Sequence, residues 1–273
     1  MTFQQKLDSS IKKNNSLVCV GLDTTIDKIP SHLRESHEAL FTFNKEIIDA
    51  THAFVSTYKL NSAFYEASGA KGVEQLQKTC TYIQDNYPEI PIILDAKRAD
   101  IGNTNEGYIS YAFSYLNVDA ITLQPYLGSE SLEPFLQLKD KGIIVLCRTS
   151  NPGAREFQDL VIDGRPLYQH VAENIVQNWN KNGNCMLVVG ATYPNEMKII
   201  RAIAGDMTFL VPGIGVQGGD LESTMKNGLN TKKAGLIIHS ARAIIYASSG
   251  KDFAEVAAEK AKELKDKINT LRK

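Results

Sequence analysis

An acid, a base and a second acid stand where an apolar run stops. In Leu94-Asp95-Ala96-Lys97-Arg98-Ala99-Asp100-Ile101-Gly102-Asn103-Thr104, an acid, a base and a second acid follow Ile92-Ile93-Leu94. Successive side chains of an extended strand point to opposite faces, so Asp95 and Lys97, at i and i+2, share a face and can touch. A solvated ion pair at a strand end has the same local pattern, and the wider chain separates the two readings. Asp23 follows the run Val18–Leu22, Lys59 and Asn61 follow Val55, and Thr149-Ser150-Asn151 follow Leu146. One cavity at the ends of these runs would gather Lys59, Asp95, Lys97 and Asp100 as alternating charges, a set rarely assembled in a partly buried place without function.

The state of Lys97 selects the chemistry. A Schiff-base lysine needs a depressed pKa, whereas carboxylates on both sides favour the ammonium form. Lys97 therefore reads as a proton donor, which argues against a class I aldolase. A second constellation, Val211-Pro212-Gly213-Ile214-Gly215-Val216-Gln217-Gly218-Gly219-Asp220, contains Gly-x-Gly-x-x-Gly. It follows a late apolar run, and about twenty residues on there is no acidic ribose ligand, so a dinucleotide site is not expected. Glycines that open backbone N–H groups to an anion suit a phosphate cradle instead, with Gln217 as a neutral donor and Arg242, after His239-Ser240-Ala241, as the fixed charge. In Arg148-Thr149-Ser150-Asn151-Pro152-Gly153, hydroxyls and amides suit the edge of a polar heterocycle, although the same composition makes an ordinary turn. The five histidines offer no spacing that converges on a metal, and no metal is expected.

The elements that must position these residues alternate. Eight short apolar runs read as strands: Leu17–Val20, Ala53–Leu60, Ile92–Leu94, Ala120–Leu123, Ile143–Cys147, Met186–Val189, Thr208–Val211 and Leu236–Ile238. Between them lie segments of helical spacing, such as Phe41–Thr51, Val73–Tyr87 and Leu167–Trp179. Ser129 and Pro194 suit helix starts, and Gly142, Gly183 and Gly228 suit stops. Continuously apolar strands alternating with helices predict an α/β fold, a (β/α)₈ TIM barrel as a single domain over residues 1–273, whose active site sits at the carboxyl ends of the strands. An open doubly wound sheet is the alternative. Residues 1–16 are expected to form an N-terminal helical extension, and 252–273 the closing C-terminal helix.

Composition limits the partners. The 273 residues are 43% hydrophobic and 22% charged with a formal net charge of −1, so nothing favours nucleic acid or an anionic membrane. The polar start Met1–Ser16 lacks a signal peptide's apolar stretch and no run reaches the ~18 apolar residues of a membrane helix, which predicts a cytoplasmic protein. Cys19, Cys80, Cys147 and Cys185 are widely spaced and read as reduced core residues.

Taken together, these motifs resemble the orotidine 5′-phosphate decarboxylase family, over nearly the whole chain from Val18-Cys19-Val20-Gly21-Leu22-Asp23 to Ser240-Ala241-Arg242. Asp95 to Thr104 is similar to that family's signature Asp-x-Lys-x-x-Asp-Ile-x-x-Thr. Tyr58-Lys59-Leu60-Asn61, Thr149-Ser150-Asn151-Pro152 and the Pro212–Gly219 loop resemble the branch with many bacterial and the malarial enzymes. The resemblance implies decarboxylation of orotidine 5′-monophosphate to uridine 5′-monophosphate, the last step of de novo UMP synthesis, by a monofunctional homodimer without cofactor. It implies that Asp23 binds ribose, Lys59 joins the charge network, Lys97 protonates C6, Ser150 meets the pyrimidine, and Gln217 and Arg242 hold the phosphate. Asp100 and Thr104 would reach the neighbouring subunit's site. Asn61, Ile101, Thr149, Pro212, Gly218, Gly219 and Ser240 complete the expected substrate contacts. Loss of CO₂ from C6 leaves a carbanion with no adjacent carbonyl sink, and an ammonium oriented by Asp95 and Asp100 would stabilise and then protonate it. Two rivals are a Mg²⁺-dependent sugar-phosphate decarboxylase or aldolase of the same superfamily and a non-catalytic phosphosugar-binding barrel. Asp23 rather than Glu on the first strand speaks against the first rival, and an intact Lys59, Asp95, Lys97 and Asp100 against the second.

Overall fold

The inner wall of the molecule follows from strand alternation. In the computed structural model, which describes residues 1–214 and 218–273, eight parallel strands close into a barrel. They are β1 (Val18–Gly21), β2 (Thr57–Asn61), β3 (Ile92–Arg98), β4 (Ala120–Leu123), β5 (Gly142–Arg148), β6 (Cys185–Val189), β7 (Phe209–Val211) and β8 (Leu236–Ser240), with β8 paired back to β1. The (β/α)₈ barrel is thus the observed fold, and the open sheet is excluded by the Val18↔Ile238 register that completes the ring. Outward residues such as Val20, Leu60, Leu94, Ile121, Val145, Leu187 and Val211 pack with the surrounding helices in the main core. Inward residues Cys19, Ile93, Ala120, Ile144, Met186, Leu210 and Ile237 form a separate apolar plug, the layered filling of a closed barrel.

The helix Phe3–Asn14 closes the bottom of that plug. Thr2 caps it by accepting from the Gln5 backbone N–H while the Gln5 side chain accepts from the Thr2 N–H, a reciprocal capping box. Phe3 and Leu7 are buried against the plug. A Cβ on Gly142 would lie 2.6 Å from the Phe3 ring and 2.8 Å from the Ala120 Cβ, so Gly142 opens β5 where the helix presses closest, rather than stopping a helix. Truncating Phe3 to alanine is expected to cost about 3–5 kcal/mol, the range for a buried phenylalanine. Urea unfolding checks this, and a loss under 1 kcal/mol would show that the helix does not seal the plug.

The helices Ala39–Thr51, Gly69–Asn86 and Pro194–Ala204 fall on predicted segments. Leu167–Asn174 continues as a wider π-helical turn, Ile175–Trp179, and Phe253–Leu271 packs against Ala39–Thr51. Ala53 belongs to a 3₁₀ turn, His52–Phe54, and not to β2. A small antiparallel hairpin, Val161–Ile162 with Arg165–Pro166, was not anticipated. Its turn, Asp163-Gly164, takes positive φ at both positions (50° and 78°), the two-residue Asp-Gly signature of a tight hairpin. All four cysteines are buried and free, and burial pushes the thiols of Cys80, Cys147 and Cys185 up to about 12. No helix among the described residues is long and apolar enough to cross a membrane.

Candidate active site

Two residues further along the strands the inward positions change character. Above Thr57, Ile93, Ala120 and Ile237 come Lys59, Asp95, Thr122 and His239, all lining one cavity of about 470 Å³ at the carboxyl end of the barrel. That size suits a small organic ligand.

Lys59 is the pivot of the charge set. Its side chain is 3% exposed, its Nζ lies 2.7 Å from Asp95 Oδ2 and 3.7 Å from Asp23 Oδ1. Burial alone would push its pKa down, but the carboxylates of Asp23 and Asp95 outweigh that and hold it above the ordinary lysine value. Burial pushes the Asp95 carboxyl up, and Lys59 and Lys97 more than reverse it, holding it far below the usual carboxylate range. Both partners are therefore ionised, the arrangement a buried pair needs. Asp23 sits in a loop pinned from two sides: Tyr65 Oη donates to the Leu22 carbonyl at 2.7 Å, and Tyr246 Oη donates to the Asp23 carbonyl at 3.2 Å.

Lys97 reaches Asp95, but not as an extended strand would bring it. Its Nζ lies 2.6 Å from Asp95 Oδ1, with the side chain 48% exposed to the open cavity. Its φ is +48° and that of Ala99 is +122°. Between the pairs Leu94↔Ile121 and Arg98↔Leu123 the two strands fall out of step, with three residues of β3 opposite one of β4. Such conformations cost about 1–3 kcal/mol each and persist where the surroundings over-determine them. Here Thr122 Oγ1 accepts from the Lys97 N–H at 3.0 Å and donates to Asp95 Oδ1 at 2.9 Å. Gln124 Nε2 donates to the Ala99 carbonyl at 3.1 Å, and the buried Asn105 side chain bonds both the N–H and the carbonyl of Asp100.

The same distortion turns the end of the signature away. Asp100, Ile101 and Thr104 do not line the cavity. Asp100 Oδ1 accepts from the Ile101 N–H, Ile101 is 59% exposed, and Thr104 begins the short helix Thr104–Ile109. Of the other anticipated residues, Asp23, Asn61, Thr149, Ser150, Pro212, Ser240 and Arg242 line the cavity. Asn61 also caps the helix Ser62–Glu66, accepting from the Ala63 N–H at 3.1 Å. Arg242 is exposed at the start of Arg242–Ile245. Gly218 and Gly219 fold back on the loop, where the Gly219 N–H donates to the Gly213 carbonyl at 3.0 Å, and they do not line the cavity. Gln217 lies outside the described residues.

Three polar side chains of the cavity, Thr122, Gln158 and His239, were missed. Thr122 and His239 continue the inward alternation of Ala120 and Ile237, a signal readable once the barrel is assumed. Gln158 ends the one-turn helix Arg155–Gln158 after β5 and carries no such signal. A Cβ on Gly21 would meet His239 Nε2 at 2.3 Å, so only glycine lets the imidazole lie across β1. Burial, helped by Lys59 and Lys97 and opposed by Asp95, keeps that imidazole well below its ordinary pKa. It is neutral beside the ammonium groups.

The model of a family described as "Orotidine 5'-phosphate decarboxylase / HUMPS family" matches residues 16–257. The orotidine 5′-phosphate decarboxylase of Cellvibrio japonicus is 48% identical over 274 aligned positions, covering all of both chains. The structure titled Leishmania donovani OMP decarboxylase superposes with a TM-score of 0.87 at 38% identity, covering 100% of this chain and 99% of that one. Leishmania donovani UMP synthase superposes with a TM-score of 0.89 at 40% identity, and there this chain spans 56% of the larger protein's length.

Proposed function

This chain belongs to the orotidine 5′-phosphate decarboxylase / HUMPS family, and we infer that its cavity converts orotidine 5′-monophosphate to uridine 5′-monophosphate with Lys97 as the proton donor. The observation that carries the reading is the line Lys59–Asp95–Lys97, with Asp95 bridging the two amines at 2.7 and 2.6 Å. The bond from C6 to the carboxylate breaks, CO₂ departs, and the electron pair stays on C6. The Lys97 ammonium stabilises that charge, and one of its protons moves to C6. Lys59 keeps Asp95 ionised, and Asp95 with Thr122 aims Lys97. Asp23 beside Lys59 suits the ribose hydroxyls, Ser150 the pyrimidine, and Arg242 at the mouth, with Gln217, the phosphate.

Turnover of orotidine 5′-monophosphate by EDTA-treated protein, followed by ultraviolet absorbance, tests the reading. Metal-independent loss of substrate is expected. Folded protein that is inert, or active only with added Mg²⁺, would reject it.

The protein acts as a cytoplasmic homodimer in this reading. Asp100, Ile101 and Thr104 face away from their own cavity, and near them Tyr126 (86%) and Leu127 (46%) are exposed apolar residues at the same end of the barrel. A second copy would cover this surface and receive Asp100 and Thr104 in its own site. Mixing Asp100→Ala chains with Lys97→Ala chains is then expected to regenerate about a quarter of the sites at random exchange, because one mixed site carries neither lesion. Demonstrated subunit exchange without recovered turnover would place Asp100 elsewhere.

A further inference from the structure

Arg148 ends β5 fully buried at 0% exposure, yet it does not line the cavity. Its guanidinium lies 3.8 Å from the Tyr193 ring centroid and 3.2 Å from Asp159 Oδ1. Its Nη1 donates to Gln158 Oε1 at 3.2 Å, and the Thr149 backbone N–H donates to the same oxygen at 2.9 Å. An arginine has only donors and does not lose its charge, so the Gln158 amide is held one way round, oxygen inward. Its Nε2 donates to Thr149 Oγ1 at 2.9 Å, and that hydroxyl donates onward to Asn151 Oδ1 at 2.7 Å. Each donor in the chain therefore has its direction set by the buried cation. Gln158, Thr149 and Asn151 all line the cavity, and the Gln158 NH₂ keeps a second proton beyond the one it gives Thr149.

We propose that Gln158, oriented by Arg148, reads the carbonyl edge of the pyrimidine and so makes the cavity prefer a 4-oxo ring to a 4-amino ring. The proposal rests on the nucleotide reading of the cavity. A uracil-type ring offers carbonyl oxygens to an N–H rim. A cytosine ring turns an amino group toward it, and donor then faces donor, which leaves buried groups unpaired. Arg148 is a positioning residue, while Gln158 is the one that touches the ring.

The test measures UMP and CMP affinity by calorimetry on the full chain. Wild type is expected to favour UMP by at least about tenfold, the consequence of one unpaired buried group. In Gln158→Glu both side-chain oxygens accept, so Thr149 donates toward residue 158 and Asn151 turns its oxygen to the cavity. The UMP:CMP ratio is expected to fall at least about tenfold, with kcat/KM for orotidine 5′-monophosphate lost mainly through KM. Arg148→Met is expected to shift the ratio in the same direction, and if that variant does not fold, Gln158→Glu alone decides. A folded Gln158→Glu protein whose ratio stays within about twofold of wild type overturns the proposal while leaving the decarboxylase reading intact. Wild type that binds neither nucleotide overturns both.

Discussion

Lys97→Ala is expected to lower kcat by about 10⁴-fold or more while the protein folds normally and still binds UMP. Removing an electrostatic stabiliser of developing charge costs about 10²–10³, and losing a positioned general acid about 10²–10⁴. In the proposed reading Lys97 serves both purposes, so the smaller values of each already multiply to about 10⁴. Stability should change by less than about 1 kcal/mol, because the side chain is half exposed and the variant leaves no core cavity. Asp95 is not abandoned either, since Oδ2 keeps Lys59 and Oδ1 keeps the Thr122 hydroxyl. Single-turnover absorbance with chemical denaturation separates these outcomes. Activity near wild type would remove Lys97 from the chemistry, and a large stability loss would make it a structural residue.

Lys59→Met should differ, losing stability as well as turnover. The substitution leaves Asp23 and Asp95 near one another with the intervening cation gone. Breaking a buried pair costs about 3–5 kcal/mol, and the lower figure is expected because Lys97 still partners Asp95. The pH dependence has a definite sign. Asp95 is held below its unfolded value, so its contribution is present above about pH 4 and is lost as pH falls through the lower folded value. Lys59 is held above its unfolded value, so its contribution is present below about pH 10 and is lost as pH rises through the higher folded value. The wild-type pair is therefore insensitive to pH between these limits. In Lys59→Met, protonating one carboxylate relieves the repulsion, so the deficit relative to wild type should shrink from pH 7 to pH 5. Adding Asp95→Asn should recover part of the loss, less than additively. A deficit independent of pH would mean that lost packing, not charge, explains the cost.

Different parts of the molecule were legible to different degrees. The eight strands could be read because both faces of a parallel barrel strand are buried, which writes continuous apolar runs such as Ile143–Cys147. The Asp163-Gly164 hairpin was legible too, although its turn signal was passed over. Lys59, Asp95 and Lys97 declared themselves as charges at the ends of apolar runs. Asp100, Ile101 and Thr104 belong to the same motif as Lys97, yet they do not line the cavity, because the positive φ of Lys97 and Ala99 redirects the chain ahead of them.

The amino-acid sequence by itself determined the barrel, the end of it that holds the cavity, and the charged residues that converge there, since all three depend on alternation and on charge at strand ends. Only the tertiary structure decided which neighbours aim them. Closing the ring sets Thr122 of β4 against Asp95 and His239 of β8 across Gly21, and the one-turn helix after β5 sets Gln158 against Arg148. Those contacts depend on curvature, a strand irregularity and a buried cation, none of which leaves a periodic trace in the chain.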